Sequence, residues 1–176
     1  MLETSRLLLR PYTPADWERV HLYASDPDFS RFEVWGPNSV DETRQFVAKC
    51  VAQMASTPVR NYQLAVDLKE TGLLIGGCTL NLEGSNFETG YLGYAINPDF
   101  QNKGFATEAA NALIRFGFDR LGLVSIHSIC DTRNTASRRV MEKAGMQRTA
   151  VLTDERVRKG QMTDSYRYEI QAPAAG

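Results

Sequence analysis

Residues 91–109 read Tyr91-Leu92-Gly93-Tyr94-Ala95-Ile96-Asn97-Pro98-Asp99-Phe100-Gln101-Asn102-Lys103-Gly104-Phe105-Ala106-Thr107-Glu108-Ala109. The first six residues predict a sheet strand, and Asn97-Pro98 ends it. A helix follows over 106–121. Ala109, Leu113, Phe116 and Leu121 fall near one face, and Gly122 can stop it. Between strand and helix lies a glycine-bearing turn. Such a turn leaves backbone N–H groups unpaired at a helix N-terminus, where the dipole adds about half a positive charge. That combination cradles a phosphate, and Gly104 lets the chain come close to it. The plain alternative is an ordinary helix start. A P-loop is excluded because Lys103 precedes its glycine. A dinucleotide fingerprint is excluded because Gly76-Gly77 falls in mid-strand.

Working outward, Arg6–Arg10 reads as a strand stopped by Pro11. Thr13-Pro14-Ala15-Asp16 is a helix start, with Thr13 as N-cap and Pro14 in the first turn. Residues 26–39 are a loop or broken helix rich in Asp, Pro, Gly and aromatics. Ser39 or Asp41 opens a second helix, with Phe46, Val47, Cys50, Val51 and Met54 as its apolar stripe. Period-two alternation then predicts a hairpin over 61–82, turning at Lys69–Gly72. After the central stretch come a strand over 124–130, a helix over 134–144 and an antiparallel pair over 146–157 and 162–171. The order β, α, α, three strands, then α-β-α-β-β is α/β: a mixed sheet with helices on its faces.

The composition narrows the function classes. The chain has 176 residues, 43% hydrophobic and 23% charged, as expected of one globular domain. Lys plus Arg is 20 against 21 Asp plus Glu, which argues against a nucleic-acid partner. Cys50, Cys78 and Cys130 form no C-x-x-C pair, and His21 and His127 stand far apart, so no metal site is expected. The scattered cysteines fit a reducing, cytoplasmic compartment. No signal pattern opens the chain and no apolar run reaches about 20 residues, so no membrane partner is expected.

Gln101-x-x-Gly104-x-Ala106 resembles the Q/R-x-x-G-x-G/A loop with which GNAT N-acetyltransferases bind the pyrophosphate of acetyl-CoA. Leu92-Gly93-Tyr94-Ala95-Ile96-Asn97-Pro98 and Ala106-Thr107-Glu108-Ala109 are similar to the flanking motifs of the RimJ/RimL-like branch. So are Asn134-Thr135-Ala136-Ser137 with Val140–Met146, the opening Ser5–Arg10, and Trp35-Gly36-Pro37. The likeness covers nearly the whole chain. It implies a GNAT fold: a twisted, mixed, mostly antiparallel sheet of about seven strands flanked by about four helices. One domain would span 1–171, with 172–176 a frayed tail. The implied activity is an acyltransferase's, moving acetyl from acetyl-CoA to a primary amine on a protein N-terminus or a small molecule. The alternative is an acyl-CoA-binding sensor without turnover. A homodimer through the C-terminal hairpin is compatible with this reading.

The resemblance also implies site residues. Backbone N–H groups of Gln101, Asn102, Lys103, Gly104, Phe105 and Ala106 would hold the pyrophosphate, and Thr107 could add a hydroxyl. Ile96 would present backbone to the pantetheine arm. Asn134 and Ser137 would contribute from the next helix, where Asn134 is also its N-cap. Lys103 has a plain reading as a solvated charge. In related enzymes a tyrosine one turn beyond Ser137 is the general acid; here that position is Met141. The family carboxylate two residues before Gly93 is Tyr91 here. Ser137 is therefore the candidate for protonating the leaving thiolate, and Glu155 the candidate base. Glu33 and Glu88 are further carboxylates near the expected site. Glu33, Trp35 and Tyr91 are the substrate-side candidates. A lysine-like amine of pKa ~10.4 is neutral in about one molecule in two thousand at pH 7, an α-amino group near 8 in about one in ten. A site short of carboxylates suits the second better. Cys130, His127, Trp17 and Phe116 read as structural residues.

Overall fold

The computed structural model describes residues 1–173. Its strands are β1 (Leu2–Glu3), β2 (Leu7–Pro11), β3 (Asn61–Leu68), β4 (Leu73–Glu83), β5 (Thr89–Ile96), β6 (Ser125–Asp131), β7 (Gln147–Arg158) and β8 (Gln161–Gln171). The helices are α1 (Trp17–Ala24), α2 (Val40–Met54), α3 (Phe105–Leu121) and α4 (Thr135–Lys143). Among the described residues the eight strands form one sheet in the order β1-β2-β3-β4-β5-β6-β8-β7. Every neighbouring pair is antiparallel except β5 and β6. The mixed, mostly antiparallel sheet is as expected. The strand beyond seven is β1, two residues too short to show any period. Of the tail expected at 172–176, residues 174–176 lie outside the described residues. Ala172 is tied down, its N–H donating to the Val124 carbonyl at 2.9 Å.

Local signals account for the element ends. Ser39 caps α2 and Glu42 reaches back to its N–H, a reciprocal pair that satisfies two orphan donors. Asn134 caps α4 by accepting from the Ser137 N–H at 3.0 Å. Helix α3 lies on the sheet with Ala109, Leu113 and Ile114 buried against Leu80, Leu92 and Ile126. Each fully buried Leu or Ile contributes about 1.5–3 kcal/mol. A second cluster, Tyr12, Val20, Tyr23, Val47 and Cys50, packs α1 and α2 on the sheet's other part. Trp17 joins that cluster and Phe116 the first, as expected of core aromatics.

One carboxylate fastens the N-terminal segment to α3. Glu108 accepts from the Thr4 hydroxyl at 2.6 Å, the Ser5 hydroxyl at 3.0 Å and the Arg6 N–H at 2.9 Å. It also pairs with the Arg6 guanidinium at 2.6 Å. Burial alone would raise its pKa, but these donors outweigh burial and hold it at about 2, against 4.5 unperturbed. A depressed carboxylate stabilises the fold above its unfolded pKa, and the effect is lost as pH falls through the folded value. Glu108→Gln should lower Tm at pH 7 by about 2–8 °C. Thermal melts of both proteins should converge as pH falls from about 4.5 toward about 2.

Candidate active site

β5 and β6 pair only over Thr89–Tyr91 with Ser125–His127. Beyond Tyr91, β5 stays bonded to β4 as far as Ile96, while β6 stays bonded to β8 as far as Asp131. The two strands part. The gap opens into a cavity of about 660 Å³ lined by Tyr94, Ala95 and Ile96 of β5, by the 98–107 turn and by the start of α4. The 26–39 loop forms the remaining wall, with Phe29, Phe32, Glu33 and Trp35 facing the cavity. Phe29 packs on Trp35 with ring centroids 6.0 Å apart. At the tip of the β7–β8 hairpin, Lys159 Nζ donates to the carbonyls of Trp35, at 2.7 Å, and of Gly36. The positive φ of Gly36, +68°, and the Ser30 side chain beside it leave no room for a Cβ.

The 98–107 turn is a donor cradle. Among the described residues, the N–H groups of residues 102–107 donate to no protein acceptor; the ladder of α3 begins with Glu108 on the Gly104 carbonyl. Gln101, Asn102, Gly104, Phe105, Ala106 and Thr107 all line the cavity. Six free N–H groups at a helix N-terminus fit a pyrophosphate without any cationic side chain. Gly104 has φ +81°, which favours glycine. The Gln101 side chain braces the turn, donating to the Ile96 carbonyl at 2.8 Å. Lys103 turns back on its own loop, with Nζ 3.2 Å from the Asp99 carbonyl and 5.4 Å from the Phe100 ring centre, and lies outside the cavity lining. Arg6 clamps the turn from outside. Its guanidinium donates to the Lys103 carbonyl at 3.0 Å and lies 4.5 Å from the Phe105 ring centre. Nothing but the N-terminal motif likeness pointed to Arg6 in the sequence.

At the far end of the cavity, the Tyr94 hydroxyl lies 3.0 Å from the Ser137 carbonyl and 3.1 Å from Ser137 Oγ. Burial pushes the Tyr94 pKa well above its usual value, so it stays a protonated donor. Tyr94 was read only as part of the strand motif; strand alternation cannot reveal that it meets a helix 43 residues away. Met141 is fully buried in the core and takes no part. Glu33 borders the cavity, and burial raises its pKa despite Arg158, Arg156 and Lys159 nearby. Glu155 is held elsewhere, in an ion pair with Arg156 at 2.6 Å and a hydrogen bond from Ser165 at 3.0 Å. It lines no part of the cavity. β7 has an irregularity there, with Leu152 opposite Ser165 and Arg156 opposite Thr163. Such a bulge re-aims the following side chains, which the sequence could not show. Tyr91 lies beside Arg156 in a smaller recess next to the cavity. Glu88 is exposed, and His127 is buried against Glu83 and the Tyr91 ring. Cys130 is buried and its thiol pushed up to about 11, so it is no ready nucleophile.

The acetyltransferase (GNAT) domain family matches residues 6–147. The chain belongs to the GNAT acetyltransferase family. The "uncharacterized N-acetyltransferase YnaD" of Bacillus subtilis is 31% identical over 96% of this chain and 95% of its own length. A GNAT-family acetyltransferase from Bacillus anthracis has the same fold, with TM-score 0.86, 33% identity and 97% of each chain covered. The fold also matches spermidine N-acetyltransferase from Vibrio cholerae, solved with CoA and spermine. There the TM-score is 0.81 at 22% identity, with 96% of each chain covered. This GNAT protein is therefore an acyltransferase with acetyl-CoA as cosubstrate, and the free N–H groups of residues 102–107 fit that cosubstrate's pyrophosphate. No helix among the described residues is long and apolar enough to cross a membrane. No cluster of three or more His, Cys, Asp or Glu among them could hold a metal.

Arg6→Ala should loosen the cradle without touching the reacting atoms. Steady-state kinetics should show KM for acetyl-CoA raised about fivefold, the equivalent of one hydrogen bond. kcat should stay within about twofold, since interactions shared by ground and transition states set KM alone.

Proposed function

We propose that this GNAT protein is a RimJ/RimL-like N-acetyltransferase acting on an α-amino group or a comparably weak amine. Its acetyltransferase domain spans 1–171. The observation that carries the reading is the hydroxyl pair of Tyr94 and Ser137, placed where β5 and β6 part. Bound acetyl-CoA supplies the activated thioester: the amine nitrogen bonds to its carbonyl carbon, the carbon–sulfur bond breaks, and CoA leaves as the thiol. The free N–H groups of residues 102–107 bind the pyrophosphate, and the edge of β5 that faces the gap, with the Ile96 carbonyl held by Gln101, lies along the pantetheine arm. The Ser137 hydroxyl gives its proton to the leaving sulfur and is reprotonated, through water, by the proton that Glu33 takes from the amine, so that one proton passes in net from nitrogen to sulfur and both side chains return to their starting states. Tyr94 orients Ser137 and stays protonated because it is buried.

Glu33 takes the proton that the amine loses. Of the three carboxylates that line the cavity, Asp26, Asp28 and Glu33, it is the one that also borders the recess beside Ser137, and its raised pKa makes it a better proton acceptor than an exposed glutamate. An α-amino group needs only modest help of this kind near neutral pH. Glu155, committed to Arg156, is left a structural role. Phe32 and Trp35 wall the acceptor side. The buried, unpaired thiols of Cys50, Cys78 and Cys130 support a reducing compartment such as the cytoplasm.

Thermal shift and CoA release test the reading together. Acetyl-CoA at about a hundred times Kd should add about 2.7 kcal/mol, a Tm rise of roughly 5–11 °C, while ATP and NAD should add none. CoA release should then depend on an added amine. Binding without release for any amine would make the protein a sensor; no shift would remove the donor site altogether. Ser137→Ala should lower kcat about 100-fold. Glu33→Gln should do the same. The wild-type kcat should fall as pH drops through the raised Glu33 pKa, because the base must be ionised, and Glu33→Gln should flatten that limb.

A further inference from the structure

Beside the main cavity lies a recess of about 40 Å³. Phe32, Glu33, Asn134 and Ser137 border both spaces, so the recess opens where the acceptor must sit. Its other walls include Arg156 and Arg158 of β7. The Arg158 side chain is only 4% exposed. Its hydrogen bonds go to neutral groups: the Thr163 hydroxyl, and Ser165 Oγ at 3.1 Å. The nearest carboxylates are Asp131 at 3.9 Å and Glu155 at 4.0 Å. Both are already engaged. Asp131 takes two bonds from the Arg133 side chain at 2.8 Å each, and Glu155 takes Arg156 at 2.6 Å.

Arg158 is thus a buried guanidinium with no carboxylate in hydrogen-bond contact among the described residues, set in the wall of an acceptor-side recess. Burying a cation is costly unless it is paired, and a guanidinium is built to grip a carboxylate with two parallel N–H groups. Lys159 adds further positive charge around Glu33. The volume is close to that of a single small group, since one water occupies about 30 Å³ of liquid.

We infer that Arg158, with Arg156 beside it, selects acceptors carrying a carboxylate within a few bonds of the amine. The amine then lies between Glu33 and Ser137, and the carboxylate enters the recess. A free amino acid and an acidic residue at a peptide N-terminus both carry this pair of groups. The inference rests on the acetyltransferase reading above and names its substrate class.

Matched acceptors test it with the wild-type protein. One arm compares free amino acids with their decarboxylated amines, such as leucine with isoamylamine. A second compares short peptides beginning with Asp or Glu against the same peptides beginning with Ala. CoA release, with kcat/KM expressed per concentration of neutral amine so that the amines' different basicities cancel, should be at least about tenfold higher for the carboxylate member in one arm, and that arm identifies the source. The same pairs, added to the CoA-saturated protein, should give an extra rise in Tm for the carboxylate member alone. This second readout needs no turnover. Arg158→Met should collapse the preference ratio about tenfold, and Arg158→Lys should restore part of it. A Tm shift with acetyl-CoA but equal response to both members of every pair overturns the inference and leaves the acetyltransferase reading standing. No shift with acetyl-CoA overturns both. If the Arg158 variants fail to fold, the wild-type pairs still decide.

Discussion

The three-residue contact between β5 and β6 is the constraint on which the site depends. Each strand is firmly paired on its outer side, β5 to β4 and β6 to β8. The sheet is therefore two antiparallel halves joined by a short parallel seam. Neighbouring strands in a twisted sheet rotate against one another, and a short seam lets that rotation open into a gap. The exposed edge of β5 carries N–H and C=O groups with no strand to pair with. Such groups must face water or a ligand, because an unmet one that is buried costs about 1–3 kcal/mol. The gap is consequently a place where an extended, amide-bearing chain can lie.

The two ends of the site handle charge by opposite means. At the 98–107 turn, the end proposed to hold the donor, the positive charge comes from free backbone N–H groups, and the one lysine there bonds back to its own loop. Arg6 and Glu108 act there only as scaffolding, one side chain holding the turn and the other holding Arg6. At the end proposed to take the acceptor the charges are side chains in partly buried positions: Glu33, Arg156 and Arg158. They come from the 26–39 loop and the β7–β8 hairpin, which Lys159 ties together across 123 residues of chain. The donor end is thus a property of local backbone geometry, and the acceptor end a property of long-range assembly.

This difference explains what could be read in advance. The turn of free N–H groups was legible as a structure because its ingredients are sequential: a strand end, Pro98, Gly104 and the first turn of a helix. The capping roles of Ser39 and Asn134 were legible for the same reason. Ser137 was singled out by the family likeness of Asn134–Ser137, the stretch that starts α4. Its partner Tyr94 was not, because hydrogen bonding between them depends on how far β5 diverges from β6. Glu155 looked as available as Glu33. Only the register irregularity in β7 and the ion pair with Arg156 separate them. Arg158 offered no signal at all, since an arginine near a hairpin tip is ordinarily solvated.

The chain's own order of residues determined its family, its element sequence and the donor cradle. Each of these follows from spacing within one strand, one turn or one helix, where backbone stereochemistry leaves few choices. The environment of the residues proposed to handle the acceptor was decided when distant segments met. Burial raised Glu33, stripped Arg158 of water and set Tyr94 against Ser137. Burial belongs to no single segment, so those properties came into being only with the packed fold.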